Sequence, residues 1–270
     1  GHSARDIYEM FDRKGWEIPA KGFALGVRVE HPQSLINKIQ YHGKYQPEMP
    51  TAEYSFVTQV LERGVFSFCM CPGGYVVASA SSQGKLVVNG MSMHARSGEN
   101  ANAALLVQVK EEDYGNTIEG GLRFQEAMEE AAFKVSSDFK APCQRVEDFL
   151  LNRPSTNCGV VKPTYPLGVV YTNLHDILPS FVAEGLAEAI VKLGKKLKRY
   201  DDPDALMTGV ETRSAAPLRM TRNPDNLQAI NMQQLYPCGE GAGYAGGIVS
   251  AAIDGIRCAE AIIETYQPMS

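Results

Sequence analysis

A glycine-rich segment near the carboxyl end constrains this chain more than any other sequence feature. Residues 239–247 read Gly-Glu-Gly-Ala-Gly-Tyr-Ala-Gly-Gly. The apolar stretch Leu235–Cys238 before it predicts a strand, and the pattern after it predicts a helix to about Tyr266. Glycines cluster where a backbone takes positive φ or approaches another molecule closely, and a following helix points its free N–H groups at that molecule. The segment predicts a strand, turn and helix that hold an electron-rich or anionic group; a tight packing corner is the alternative interpretation.

The predicted helix begins with residues that have almost no bulk, which suits close packing against a flat cofactor or a sheet. Upstream, the spacing predicts a first helix capped by Ser3, a half-buried strand over 21–30 and a helix over 33–40. Between residues 54 and 110 the pattern predicts five short antiparallel strands, at 54–60, 65–71, 75–80, 85–89 and 105–110. Helices are predicted over 120–135 and 179–197, and a loop over 152–166.

Composition excludes several classes of protein. The 270 residues are 44% hydrophobic, which is enough for one large core or two modest ones. A formal net charge of -5 argues against nucleic acid as a partner. No stretch predicts a membrane span and the start does not resemble a signal peptide, so we expect a soluble, cytoplasmic protein. The six cysteines lack the spacing of a disulfide framework or a zinc site, so we expect free thiols and no metal.

Several motifs together resemble an uncharacterised family of bacterial FAD-dependent dehydrogenases. The resemblance covers nearly the whole chain. It is strongest in the glycine-rich segment and its continuation through Ser250-Ala251-Ala252 and Asp254-Gly255. The other matching segments are Gly1-His2-Ser3-Ala4-Arg5-Asp6, Phe68-Cys69-Met70-Cys71-Pro72-Gly73-Gly74, Asn89-Gly90-Met91-Ser92 and Gly209-Val210-Glu211-Thr212-Arg213.

The resemblance implies an α+β fold in which a mostly antiparallel substrate-side domain with helical cover joins pieces of an incomplete, Rossmann-like FAD-binding fold. Residues 1–20 are expected to be a fragment of that FAD-binding fold, 21–205 the inserted domain, and 206–270 the return segment with the closing strand, turn and helix. The resemblance implies an N-terminal βαβ unit whose G-x-G-x-x-G motif binds the pyrophosphate, and no such unit precedes Gly1 in this sequence. We therefore expect the isolated chain to be inactive and to bind FAD weakly or not at all.

The resemblance also implies where cofactor and substrate bind. The helix N-terminus would stabilise the negative charge that a reduced flavin carries near N1 and the C2 carbonyl. Near the substrate side, Glu211, Arg213 and Arg219 are the candidate catalytic residues, with a guanidinium available for a substrate carboxylate; a solvated edge strand is the alternative. A small-molecule substrate and an electron partner of unidentified nature are implied. The residues expected to contact FAD are Gly239, Glu240, Gly241, Gly243, Tyr244, Ala245, Gly246 and Gly247.

Other reactive side chains have simpler interpretations. Cys69 and Cys71 lie two residues apart and so on one face of a strand, where a redox relay is possible but burial as small apolar residues is favoured. His94 with Arg96 indicates a surface loop more than an acid or an anion contact. Lys195, Lys196, Lys198 and Arg199 are typical of a solvated helix end. A non-catalytic flavin-fold or RNA-associated module, or a purely structural domain, are the alternative functions.

Overall fold

A computed structural model describes residues 1–266 and has an α+β architecture. In this part of the chain there are nine strands and six α-helices. The helices are α1 (Arg5–Arg13), α2 (Gln33–Gln40), α3 (Ile118–Lys134), α4 (Val146–Leu150), α5 (Ser180–Lys196) and α6 (Ile248–Thr265). The strands are β1 (Phe23–Pro32), β2 (Val57–Val60), β3 (Arg63–Cys71), β4 (Gly74–Ala78), β5 (Val88–Ser92), β6 (Asn100–Val109), β7 (Ala141–Arg145), β8 (Val169–Tyr171) and β9 (Leu206–Glu211).

Seven strands form one mixed sheet in the order β2-β3-β6-β1-β9-β7-β8, and β4 pairs with β5 in a separate hairpin. The β2–β3, β3–β6, β1–β9 and β7–β9 pairs are antiparallel, whereas β7 and β8 are parallel. Helix α5 packs on β2 and β3. The predicted antiparallel sheet with helical cover is thus present, with one parallel pair at its edge. A Rossmann-like piece is not confirmed.

The central strand β1 is buried on both of its faces, and this corrects the prediction of a half-buried strand. Leu25, Val27 and Val29 are fully buried, as their alternation predicts. Arg28 and Glu30, on the opposite face, are also fully buried. A strand between two sheet neighbours can be covered on both faces, so its polar positions need internal partners rather than water.

The described chain forms two compact units. The first comprises Gly1–Phe23, Val109–Gln125 and Arg213–Ser270, and the second comprises Ala24–Gln108 and Glu126–Thr212. A buried cluster of Tyr8, Leu122, Ala216 and Leu218 forms a core in the first unit. The predicted division at residues 20 and 205 stays a prediction, and positions 267–270 of its last part lie outside the described residues.

Several predicted elements differ from the structure. Helix α1 is preceded by Ala4 at its N-cap, without a side-chain cap, so Ser3 is not the capping residue. Leu235–Cys238 does not form the predicted strand. These four residues are irregular and lead into the turn at Gly239. The 85–89 strand is displaced to β5. The loop over 152–166 and helix α2 are confirmed. None of the described helices has the length and apolar character needed to cross a membrane.

Candidate functional site

The glycine-rich segment of the first unit folds as a series of turns that lead into α6. Gly239 and Gly243 have φ of 73° and 81°, which is the left-handed region that favours glycine. A Cβ at Gly243 would lie 2.3 Å from the carbonyl oxygen of Leu218. The sequence therefore needs glycine at 243 for two reasons, a positive φ and a close backbone approach.

Side chains from distant parts of the sequence hold the carbonyls of this turn. The Tyr8 hydroxyl donates to the Gly241 carbonyl at 2.8 Å, and Lys21 Nζ donates to the Gly243 carbonyl at 2.9 Å. Burial, and to a smaller extent the charge of Glu240, raises the pKa of Tyr8, so its hydroxyl stays protonated and can donate. These anchors fix the backbone of the turn from outside.

An ion pair holds the other end of the turn. Arg222 donates twice to Asp254 of α6, at 2.6 and 3.1 Å, and once to the Pro237 carbonyl at 2.7 Å. Asp254 also accepts the Gly239 amide at 2.8 Å. The hydrogen bonds from Arg222 hold the pKa of Asp254 below its ordinary value, so the carboxylate is ionised at neutral pH. This pair fastens α6 to the turn that precedes it.

Tyr244 lies among cationic side chains. The Arg222 guanidinium carbon is 3.7 Å from the centre of the Tyr244 ring, and that of Arg219 is 5.2 Å away. Burial lowers the pKa of Lys21, and the nearby charge of Arg219 lowers it further. Arg222 is neutralised by Asp254, whereas Arg219 is exposed. Three cationic side chains, Lys21, Arg219 and Arg222, thus lie around Gly243 and Tyr244, and of these Arg222 is offset by Asp254.

The last part of the turn is open. A Cβ at Gly246 would have no heavy atom within 4 Å, and Ile248 and Val249 are 87% and 72% exposed. Helix α6 has no acidic side chain in its first turn, and Ser250 Oγ bonds both the amide and the carbonyl of Gly247. The first amides of a helix have no acceptor within it, so this end presents free donors and a positive dipole. The residues at 246–249 thus fit an electron-rich ring edge.

The remaining predicted contacts of the segment are part of the same turn. Glu240 forms an ion pair with His2, whose hydrogen bond lowers the pKa of the Glu240 carboxyl. Ala245 is buried, and its neighbour Tyr244 is half-buried. The structure therefore brings together all eight residues predicted to contact FAD, although whether they contact it stays a prediction.

A second cluster, in the second unit, is centred on Arg28. Its Nη2 donates to Glu211 Oε1 at 2.9 Å and to Asn89 Oδ1 at 2.7 Å, while Nε donates to the second oxygen of Glu211. Its Nη1 donates to the Cys69 carbonyl at 2.7 Å and faces Asn102 Oδ1 at 3.3 Å. The five N–H donors of the guanidinium are thus engaged. We call Arg28, Glu211, Asn89, Asn102 and the Cys69 carbonyl the Arg28 cluster.

The Arg28 cluster joins three of the sequence motifs that carry the family resemblance. Cys69 belongs to the 68–74 motif, Asn89 to the 89–92 motif and Glu211 to the 209–213 motif. Gly90 is required here because a Cβ would lie 2.4 Å from Arg28 Nη1. Burial raises the pKa of Glu211, and the charge and hydrogen bonds of Arg28 offset part of that effect. The motifs therefore meet at one buried, bidentate ion pair.

The predicted catalytic residues belong to two units: Glu211 to the second, and Arg213 and Arg219 to the first. Glu211 ends β9, which lies inside the sheet between β1 and β7, so the edge-strand interpretation is wrong. Arg213 is buried in the first unit, and Arg219 lies beside Tyr244 in that unit. Between Arg213 and Arg219 the described chain forms no strand and contains an isolated bridge at Leu218. A guanidinium does bind a carboxylate through two hydrogen bonds here, but the guanidinium is that of Arg28, and the carboxylate is that of Glu211.

The two cysteines of the 68–74 motif do not share a strand face. The pairing of β3 with β6 shifts register between Phe68 and Cys71, and Cys69 has φ of 43°. Cys69 is consequently exposed and Cys71 buried. This bulge corrects the prediction of a regular strand, and it turns the Cys69 carbonyl to Arg28. His94 is exposed, as predicted for a surface loop.

Five important residues were missed by sequence reasoning: Tyr8, Lys21, Arg28, Arg222 and Asp254. Lys21 and Gly243 are 222 positions apart, and Tyr8 and Gly241 are 233 apart, so no local pattern links them. Arg28 carried a usable signal, because a charged residue in a strongly apolar strand needs a partner if both faces are covered.

The sequence of this chain matches a known protein family and a longer relative. Residues 22–214 match the family model described as FAD-dependent protein, C-terminal domain-like. An uncharacterised protein of Clostridium beijerinckii (strain ATCC 51743 / NCIMB 8052) is 51% identical over 271 residues, covering 98% of this chain. The chain spans 51% of the length of that relative. With the family model matching well over half of its residues, the chain belongs to the FAD-dependent protein, C-terminal domain-like family.

Proposed function

We propose that this chain is the carboxyl-terminal half of a FAD-dependent oxidoreductase and supplies the electrostatic part of its flavin site. The family match supports a FAD-related role, and the length of the relative supports a second half that binds the rest of the dinucleotide. The observation that carries the proposal is the open, electropositive end of α6 at Gly246, which follows a turn fastened by Tyr8, Lys21 and Arg222.

In this proposal FAD supplies the electron-transfer chemistry, and the protein supplies orientation and charge. The amides of Gly246, Ile248 and Val249 would donate to the pyrimidine edge of the isoalloxazine, while the Gly247 amide is held by Ser250 Oγ. The helix dipole would favour the negatively charged form of the ring. Arg219, which is exposed beside Tyr244, is the side chain best placed to bind an anionic group of the substrate. Arg213 stays a candidate for the same role, and Glu211 for a role through the Arg28 cluster.

A test needs the full-length form, which we define as the relative's unmatched half joined to this chain. Gly246→Val adds bulk where the ring edge would lie, while a Cβ there meets no protein atom within 4 Å. We expect the purified full-length form to lose at least about tenfold in FAD affinity with this variant, while its melting temperature stays within about 2 °C.

Gly255→Val is the matched control, because a Cβ there also meets no atom within 4 Å and the residue lies two turns into α6. We expect it to cost no more than the helix propensity difference and to leave FAD affinity unchanged. Equal FAD affinity of Gly246→Val and the unsubstituted protein would contradict the proposed contact.

A further inference from the structure

Helix α6 carries apolar side chains on the side that faces away from its own unit. Its buried residues are Asp254 and Cys258. At about 100° per residue, the opposite side carries an arc of about 140° in which the large side chains are isoleucine and valine, with the small Ala252 and Ala259 and the charged Glu260 among them. We call this arc the α6 stripe. Its members, with their exposed fractions, are Ile248 (87%), Val249 (72%), Ile253 (46%), Ile256 (59%) and Ile263 (60%).

An apolar arc of this size needs a covering surface. A surface helix normally turns its apolar side to the core and its polar side to water, whereas in α6 the buried residues are Asp254 and Cys258 and the larger apolar side chains face outward. Single exposed apolar residues are common on proteins, but a row of five large ones between residues 248 and 263, with one charged residue among them, is typical of an interaction site. The ion pair between Arg222 and Asp254 fixes the helix with this row outward, so the row is a rigid, preformed surface.

We propose that the α6 stripe is the docking surface for the half of the protein that the relative has and this chain does not span. The relative is about twice as long as the matched region, so a second body of similar size is available. The proposal rests on the proposed function only in taking this chain as one half of a longer enzyme. It assigns the contact to named residues, and it places that contact directly beside the open turn at Gly246.

A second copy of this chain is the competing occupant, and the area argues against it. The stripe runs from Ile248 to Ile263, about 23 Å, and is about one helix wide, roughly 10 Å, which gives on the order of 200 Å². A stable complex of separate proteins usually buries about 800 Å² on each partner. A covalently joined domain needs less, because the linker holds its surface at millimolar effective concentration.

Cysteine labelling tests the occupant. Ile256→Cys places a thiol in the stripe with a small change of shape, and Val160→Cys, at a residue 79% exposed in the second unit, is the matched control. Labelling by a maleimide is assigned to individual residues by fragmentation of the peptides in a mass spectrometer, which separates these thiols from the exposed Cys69 and Cys238 and from Cys158, which is partly exposed and two residues from position 160. In this chain alone we expect both introduced thiols to react rapidly.

In the full-length form we expect the thiol at 256 to react at least tenfold more slowly, and the thiol at 160 to react as before. Equal rates at 256 in both forms would overturn the proposal. Slow labelling at 256 in a dimer of this chain alone would overturn it in favour of a second copy. Flavin absorbance of the same full-length sample separates the two proposals: protection without bound flavin contradicts only the flavin site, and bound flavin without protection contradicts only the docking surface.

Discussion

At the residue scale, Arg28 explains why separate motifs lie together in the second unit. It is fully buried, yet every donor of its guanidinium meets an acceptor, so burial of the charge is tolerated. The bidentate pair with Glu211 fixes the end of β9, and the bonds to Asn89 and the Cys69 carbonyl fix the two other motifs. Cys69 accordingly serves through its backbone in this cluster.

Replacement of Arg28 tests this view. Arg28→Met leaves the Glu211 carboxyl buried without its partner, so we expect the free energy of unfolding to fall by about 3–5 kcal/mol in urea titrations. The double variant with Glu211→Gln should recover part of this loss, because no uncompensated charge then remains. A loss below about 1 kcal/mol for Arg28→Met would contradict the central role of the ion pair.

Arg123→Ala is the control for the Arg28 variants. Arg123 pairs with Glu119 one helical turn away, and both side chains are 73% exposed. Exposed pairs of this kind contribute about 0.5 kcal/mol or less, because water screens them and side-chain entropy opposes them. We therefore expect almost no change in stability from this substitution.

At the element scale, hydrophobic periodicity predicted the helices well, because the spacing of apolar residues within a helix is a local signal. Helix α2 matches its predicted bounds, and α5 and α6 lie within about a residue of theirs. Prediction failed for segments whose structure depends on contacts with residues distant in sequence. The apolar run at 235–238 suggested a strand, but Pro237 uses its carbonyl for Arg222 and the chain remains irregular. Strands β7 and β8 were not predicted, because each is short and its partners are distant in sequence, and a strand at Glu211 was considered only as a solvated edge.

The candidate site, too, was predicted only in part. The glycine-rich turn could be predicted, because glycine content reports backbone conformation locally. Its anchors could not, since Tyr8 and Lys21 reach it from more than 200 positions away. The charged pair of Arg28 and Glu211 was hidden for the same reason, and Glu211 alone suggested a solvent-exposed edge.

Two glycines of the turn allow a prediction about its rigidity. Gly243→Ala forces a side chain into the left-handed region and against the Leu218 carbonyl, so we expect it to cost at least about 2 kcal/mol of unfolding free energy. Gly246→Ala meets no neighbouring atom, so we expect a change within about 0.5 kcal/mol. Thermal and urea unfolding of this chain measure both. Equal costs at the two positions would show that the turn is not held as described.

At the scale of the whole molecule, two surfaces that are close together in sequence have no binding partner among the described residues. Among the described residues, the amides of Gly246, Ile248 and Val249 have no acceptor, and the α6 stripe that starts at Ile248 has no cover. Both are explained if a second half of the protein packs on the stripe and brings the remainder of a dinucleotide to the amides. Membership in a FAD-dependent family and a relative of twice the matched length are consistent with this arrangement.

The most direct measurement is flavin absorbance between 300 and 550 nm of this chain and of the full-length form, each purified and then incubated with FAD. We predict that the full-length form is yellow with about one FAD per chain, and that this chain alone, with its half of the site, retains little or none. A full-length form that purifies without flavin and takes up none when FAD is added would contradict the account.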